Sequence, residues 1–155
     1  MNDNDSEVTW NDGYSVGVPL IDAQHKELVR MTNDLFQSCL KGRETAEISF
    51  MKTVQGAAAY AKTHFGTEEQ ILEPLDYPGY AVHKKQHEDF VADVLRIIRD
   101  FEGGKKMSPK DLARFLRDWV LNHIAGSDKE YAYFLDDLKN QGKVDNESLE
   151  AMVEI

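Results

Sequence analysis

The five histidines of this chain and two of its acids fall into one pattern of spacing. His25 stands alone, His64 and Glu68 lie four apart, His83 and His87 lie four apart, and His123 and Asp128 lie five apart. Residues four apart on an α-helix differ by about 40° around the axis, so both members of such a pair point the same way. Imidazole nitrogens combined with carboxylate oxygens suit zinc, copper or iron, whereas calcium and magnesium favour all-oxygen shells. A single zinc takes three or four ligands; these seven side chains suffice for two ions bridged by two carboxylates. Two common alternatives are absent. The His83-Lys84-Lys85-Gln86-His87 pair is not the His-Glu-x-x-His of zinc peptidases, and no Glu-x-x-His of the carboxylate-rich di-iron bundles occurs.

Taken singly, each group has a plainer explanation. A lone core histidine is ordinarily structural, and an acid one turn after a histidine is common on an acidic helix. The metal reading rests on where the helices bring the groups together. Four stretches carry apolar seams with alternating four- and three-residue steps. The first seam is Ile21, His25, Leu28, Thr32, Leu35, Cys39, and the second is Phe50, Val54, Ala57, Ala61, His64, Glu68. The third is His83, His87, Phe90, Val94, Ile97, Phe101, and the fourth is Leu112, Leu116, Trp119, His123. Their spacing averages about 3.5 residues, the period of nearly parallel packed helices.

Lys41-Gly42-Arg43, Pro74 to Gly79 and Glu102-Gly103-Gly104 read as stops, and Ser108-Pro109 reads as a capped restart. Short links favour antiparallel neighbours, so the expected fold is all-α: an up-down-up-down four-helix bundle. In that order the starts of the odd helices and the ends of the even ones share one end of the bundle, and all seven groups meet there. His123 and Asp128 are the exception to the spacing. Five residues amount to about 140° on a continuous α-helix, so a break or kink is expected near Ala125-Gly126-Ser127. Asp128 then opens a short extra C-terminal helix running to about Asp137.

Bulk composition narrows the function. The chain has 155 residues, 41% of them hydrophobic, which suits one domain with one core. A net charge of −10 argues against nucleic acid as a partner. No apolar run approaches the roughly 20 residues that span a bilayer, so no membrane insertion is expected. The start, Met1 to Glu7, shows no basic and apolar secretory signal, and Cys39 is the lone cysteine, so a cytoplasmic location is expected. Cys39 itself reads as a small buried hydrophobe.

Longer stretches resemble a known family. Trp10-Asn-Asp-Gly-Tyr14, Gly17-Val-Pro19 and Ile21-Asp-Ala-Gln-His25 are similar to the amino-terminal signature of bacterial hemerythrins. So are His64-Phe-Gly-Thr-Glu68-Glu69, Tyr77-Pro78, the His83 to His87 pair, and Trp119-Val-Leu-Asn-His123-Ile124 followed by Asp128-Lys129. The resemblance covers about residues 10 to 138 and fills all seven ligand positions. It implies two non-haem iron ions that cycle between Fe2+ and Fe3+ under an oxo or hydroxo bridge. His83, His87 and His123 would hold one iron, His25 and His64 the other, with Glu68 and Asp128 bridging. The iron with two histidines would keep an open position for dioxygen, and Leu28, Phe65, Trp119 and Ile124 would form an apolar oxygen pocket. Leu72 departs from the pattern, standing where a methionine is expected.

These implications set the expected organisation: a polar tail over residues 1–9, a hemerythrin-like di-iron domain over 10–140, and a C-terminal tail over 141–155. The tail from Val144 on has enough apolar residues to dock as a partial helix, and composition equally allows disorder. The expected function is reversible dioxygen binding by a carrier, store or scavenger that is not an enzyme, with a redox partner or an oxygen-consuming enzyme as possible associates. Two alternatives are an oxygen-sensing module, or a di-iron enzyme acting on peroxide or nitric oxide or in iron–sulfur repair. An enzyme needs an acid or redox exit near the open metal, for which Tyr60, one turn before His64, is the nearest candidate. Oligomeric state is left open.

Overall fold

A computed structural model describes residues 7–104 and 108–153. A single 3-10 turn at Asp12–Tyr14 leads into α1 (Pro19–Leu40), α2 (Arg43–Leu72), α3 (Tyr80–Glu102) and α4 (Pro109–Asn122). A π-helical segment, His123–Asp128, joins α4 without interruption to α5 (Lys129–Asn140), and a short α6 (Asn146–Glu150) follows. Helix α1 packs against α2 and α4, and α2 against α3, which is the up-down-up-down bundle. The extra C-terminal helix is α5.

The starts and stops follow local chemistry. Lys41 and Gly42 alone link α1 to α2, and Gly42 sits at φ +118, a conformation that a side chain would make costly. Ser108 caps α4 by accepting the amide of Asp111, with Pro109 at the first helical position. Helix α1 also starts with a proline, yet its N-cap Val18 offers no side-chain bond. One of its free amides is met from α6, and a side chain of its first turn holds the residues that precede it. Asp22 accepts the Val16 amide and the Ser15 hydroxyl, and Glu150, from α6, accepts the amide of Leu20 at 3.2 Å.

The seams bury as the periodicity requires, with Ile21, Leu28, Leu35, Phe50, Val54, Phe90, Val94, Leu112 and Leu116 inside. Phe101, the last member of the third seam, lies outside the described side chains. Cys39 is half-buried and not enclosed, because the last turn of α1 runs out past the packed core and Leu40 beside it is exposed. Away from the histidines the core is Leu35, Phe36, Phe50, Val54, Phe90 and Leu112 with their neighbours. A second cluster at the histidine end joins Val18, Ile21, Ile71, Leu72, Tyr131 and Leu149.

Of the expected tail at 1–9, residues 1–6 lie outside the described residues. Val8 is buried, and its backbone exchanges two hydrogen bonds with the Asn33 side chain, at 2.9 and 2.8 Å. At the other end α6 docks and does not hang free. Asp145 and Ser148 form a capping box, and Leu149 is fully enclosed. Among the described residues no helix is long and apolar enough to cross a membrane.

Candidate metal centre

All seven side chains singled out by spacing are buried and meet at one end of the bundle. They come from the second turn of α1, the last turns of α2, the start of α3 and the π segment. Two overlapping groups form. Glu68, His83, His87 and His123 make one, and His25, His64, Glu68 and Asp128 the other, with ligand atoms in each group within 4.8 Å of one another.

The carboxylates divide their oxygens between these groups. Glu68 directs Oε1 at His25 Nε2 (3.2 Å) and His64 Nε2 (2.8 Å), and Oε2 at His83 Nε2 (2.7 Å) and His87 Nε2 (3.1 Å). Asp128 directs Oδ2 at His25 Nε2 (2.9 Å), and Oδ1 at His83 Nε2 (3.2 Å) and His123 Nε2 (3.1 Å). Each carboxylate thus reaches both sets of histidines, one oxygen to each side. Five imidazoles turn Nε2 inward, and His87 and His123 bring theirs to 3.1 Å.

The expected break between His123 and Asp128 is a widening instead. A π-helix closes its bonds from i to i+5, so residues five apart stack on the same face. Both side chains reach the centre while the helix continues into α5, and a Cβ at Gly126 would meet open space.

Neighbouring groups orient the cluster. The Thr67 hydroxyl donates to the Thr63 carbonyl, the Gln24 amide nitrogen donates to Thr67 Oγ1, and His64 Nδ1–H donates to Gln24 Oε1 at 2.8 Å. That chain of donors fixes the histidine tautomer and leaves the Nε2 lone pair of His64 facing inward. Tyr131, fully buried, donates its hydroxyl to Glu68 Oε1 at 3.2 Å. Neither Gln24 nor Tyr131 was found by spacing. The available signals were adjacency to His25 and a position three residues after Asp128 on the same helix face. Tyr60, the phenol that the sequence offered as an acid or redox exit, is half-buried and lines the α1–α2 groove.

Aromatic rings wall the centre on the bundle side. Phe65 stacks on His87 at 3.9 Å and Trp119 on His123 at 4.4 Å between ring centroids. Leu28, Phe65 and Trp119 line one small apolar cavity, and Ile124 lies beside it in a cluster with Leu28 and Trp119. Leu72 packs away from that cavity, with Ile71 and Tyr131.

Burial disfavours charge on these histidines, but the two carboxylates outweigh it at His25 and His83. Against desolvation, the close-lying carboxylates of Asp128 and Glu68 raise His25 from 6.5 to about 9 and His83 to about 10. Desolvation prevails at His87, whose value falls. Desolvation also works against ionising Glu68 and Asp128, yet the surrounding imidazoles hold both carboxyls well below the usual range. Burial, reinforced by the two carboxylates, keeps the Tyr131 phenol protonated far above its ordinary value.

Within the protein alone, both Asp128 oxygens, His64 Nε2 and the Nδ1 atoms of His25 and His87 have no hydrogen-bond partner. Enclosed polar atoms without partners are costly. The inward-facing ones have the donor chemistry of a pair of transition-metal ions, and the fit is good. The Hemerythrin HHE cation binding domain matches residues 16–135.

The chain belongs to the hemerythrin family.

Among its relatives, the bacteriohemerythrin of Stenotrophomonas maltophilia is 32% identical over 127 residues, covering 81% of this chain and 79% of the relative. The bacteriohemerythrin of Methylococcus capsulatus is 31% identical over 125 residues, covering 80% and 93%. A crystal structure of wild-type hemerythrin superposes with a TM-score of 0.71 at 29% identity, covering 82% of this chain and 96% of that one. Hemerythrin membership and two buried His/Glu/Asp clusters together describe a cation-binding domain with a binuclear site.

Proposed function

We propose that this hemerythrin-family chain binds dioxygen reversibly at two non-haem iron ions and is a carrier, store or scavenger, not an enzyme. The observation that carries the reading is the division of oxygens at Glu68 and Asp128, each of which serves both histidine sets. His83, His87 and His123 would hold one iron and His25 and His64 the other, the two carboxylates bridging. When bound, the iron pair supplies the electrons with which dioxygen is held and released. The side with two histidines has fewer protein donors, which leaves room for an exogenous ligand there.

The chain's own residues set the conditions for release. Phe65 and Trp119 cover the histidines with apolar surface and exclude the water that would displace a bound ligand. Glu68 and Asp128 keep the anionic charge fixed within the site, and Gln24 holds His64 in the ligating tautomer. Tyr131 keeps its proton on the phenol oxygen, directed at Glu68 Oε1. A second reading, a di-iron enzyme acting on peroxide or nitric oxide, draws support from that buried phenol, a proton donor placed against the Glu68 carboxylate.

The test is optical titration of the reduced, iron-loaded protein between inert gas and air, with metal analysis. Two irons per chain and a visible ligand-to-iron band that comes with air and leaves with inert gas are expected. A band that fails to return, or steady consumption of peroxide or nitric oxide that falls in Tyr131→Phe, would favour the enzyme.

A further inference from the structure

Behind His87, on the side away from the metal centre, stands an acid that the ligand set does not use. The His87 side chain is enclosed, 2% exposed. Its Nε2 lies 3.1 Å from Glu68 Oε2 and from His123 Nε2, and its Nδ1 has no hydrogen-bond partner. Glu69 Oε2 is 3.9 Å from that Nδ1. Glu69 follows Glu68 on α2, but its side chain is 24% exposed, whereas that of Glu68 is fully enclosed.

Once a metal ion takes the Nε2 lone pair, the neutral imidazole carries its proton on Nδ1. A buried N–H without an acceptor is costly. Glu69 stands about 1 Å beyond the usual range of a charge-assisted hydrogen bond. The His87 ring has little freedom to close that gap. Phe65 lies against it, parallel within 4°, and His83 packs near a right angle to it at 4.5 Å between centroids. The part-exposed Glu69 carboxyl has room to turn. Lys84 and Glu88, the charged neighbours it meets on α3 besides His83, pull on it in opposite senses.

We propose that Glu69 is a positioning residue for the three-histidine ion: with metal bound, His87 Nδ1–H donates to its carboxylate, which tightens the hold of Nε2 on the ion. The proposal rests on the two-ion reading above and not on dioxygen. An anionic acceptor makes an imidazole a stronger metal ligand. The other histidine set has a neutral acceptor in that place, the Gln24 amide behind His64. The two ions therefore have unequal support, and the three-histidine ion is the one that leaves last.

The test uses zinc-loaded protein with isotope-labelled histidine. In the parent, the His87 Nδ1 proton should resonate far downfield and exchange slowly with solvent. Glu69→Gln keeps the length and an acceptor without the charge, and should move that proton upfield. Glu69→Leu should move it further and speed its exchange. Chelator competition should show the tighter of the two zinc ions weakened by roughly 10- to 100-fold in Glu69→Leu and less in Glu69→Gln, with the looser ion near its parent affinity. A His87 proton unmoved in Glu69→Leu overturns the hydrogen bond, and a moved proton with the tighter zinc unweakened overturns the tightening. A parent chain that takes up fewer than two zinc ions defeats the two-ion reading and this role with it. Loss of the reversible band with air in the iron protein defeats only the dioxygen function.

Discussion

At the centre, protons and metal ions compete for the same nitrogen lone pairs, and this gives the metal-free chain a distinctive pH response. His25 and His83 have folded-state values of about 9 and about 10 against an ordinary 6.5. A raised histidine contributes its full stability below its ordinary value and loses it as pH climbs through the folded value. Glu68 and Asp128, both lowered, contribute above the ordinary carboxylate range and lose that contribution as pH falls. The metal-free protein should thus be most stable at roughly pH 4.5 to 6.5 and weaken through pH 9 to 10. Metal affinity should run the other way, rising with pH as the same protons leave. Denaturation and metal titrations across pH check both signs; a metal-free chain that gains stability from pH 7 to 10 would contradict the carboxylate–histidine pairing. Gln24→Leu removes the acceptor that sets the His64 tautomer and should weaken metal binding about 10- to 100-fold with the fold intact. Competition with a chelator measures it, and unchanged affinity would mean that His64 needs no orienting partner. Spacing disclosed His64 and Glu68 because a four-residue repeat is a periodicity. It could not disclose Gln24, whose role comes from a 40-residue separation closed only by packing.

At the scale of elements, the π segment decides whether Asp128 takes part. The five-residue interval from His123 announced a mismatch of about 140° with a regular helix, so a local distortion was legible. Its form was not, since a break, a kink or a widening each absorbs one surplus residue, and neighbouring helices choose among them. The widened turn lets α5 continue the line of α4 and so brings Tyr131 and Leu135 into the core along with Asp128. One alanine inserted after Gly126 should turn Asp128 and all of α5 by about 100°, abolishing metal binding and lowering the melting temperature. Deleting Ala125 makes His123 and Asp128 four apart, the spacing of His64 and Glu68, and should preserve the fold with weaker metal binding. Metal content and thermal denaturation of the two variants separate these outcomes. An insertion variant that keeps full metal content would show that Asp128 is dispensable.

For the molecule as a whole, the metal end is closed by segments that the bundle pattern alone does not require. The family match ends at residue 135, yet α6 returns across the bundle end and places Leu149 in one cluster with Ile71, Leu72 and Tyr131. Lys129 and Lys139 donate to the carbonyls of Ser15 and Gly17, and Glu150 accepts the amide of Leu20. Four polar side chains, counting Asp22, therefore hold the turn that starts α1, little more than one helical turn before His25. Sequence showed the apolar residues of this tail but not their destination, because the Glu150 to Leu20 bond spans 130 positions and has no periodicity to reveal it. The strap shields Tyr131 and, through it, the Glu68 carboxylate. Leu149→Ala should cost about 2–5 kcal/mol by leaving a cavity in that cluster. Glu150→Ala should cost about 1 kcal/mol, the usual loss of a helix cap. If the strap only adds core, both variants will melt earlier while bound metal leaves for a chelator at the parent rate well below melting. Because the strap closes the end where the ligands converge, metal release is expected to speed up in both, and more in Leu149→Ala. Local opening at this end exposes Glu68 and His25 to solvent without unfolding the far core of Phe50, Val54 and Phe90, so the two rates should separate.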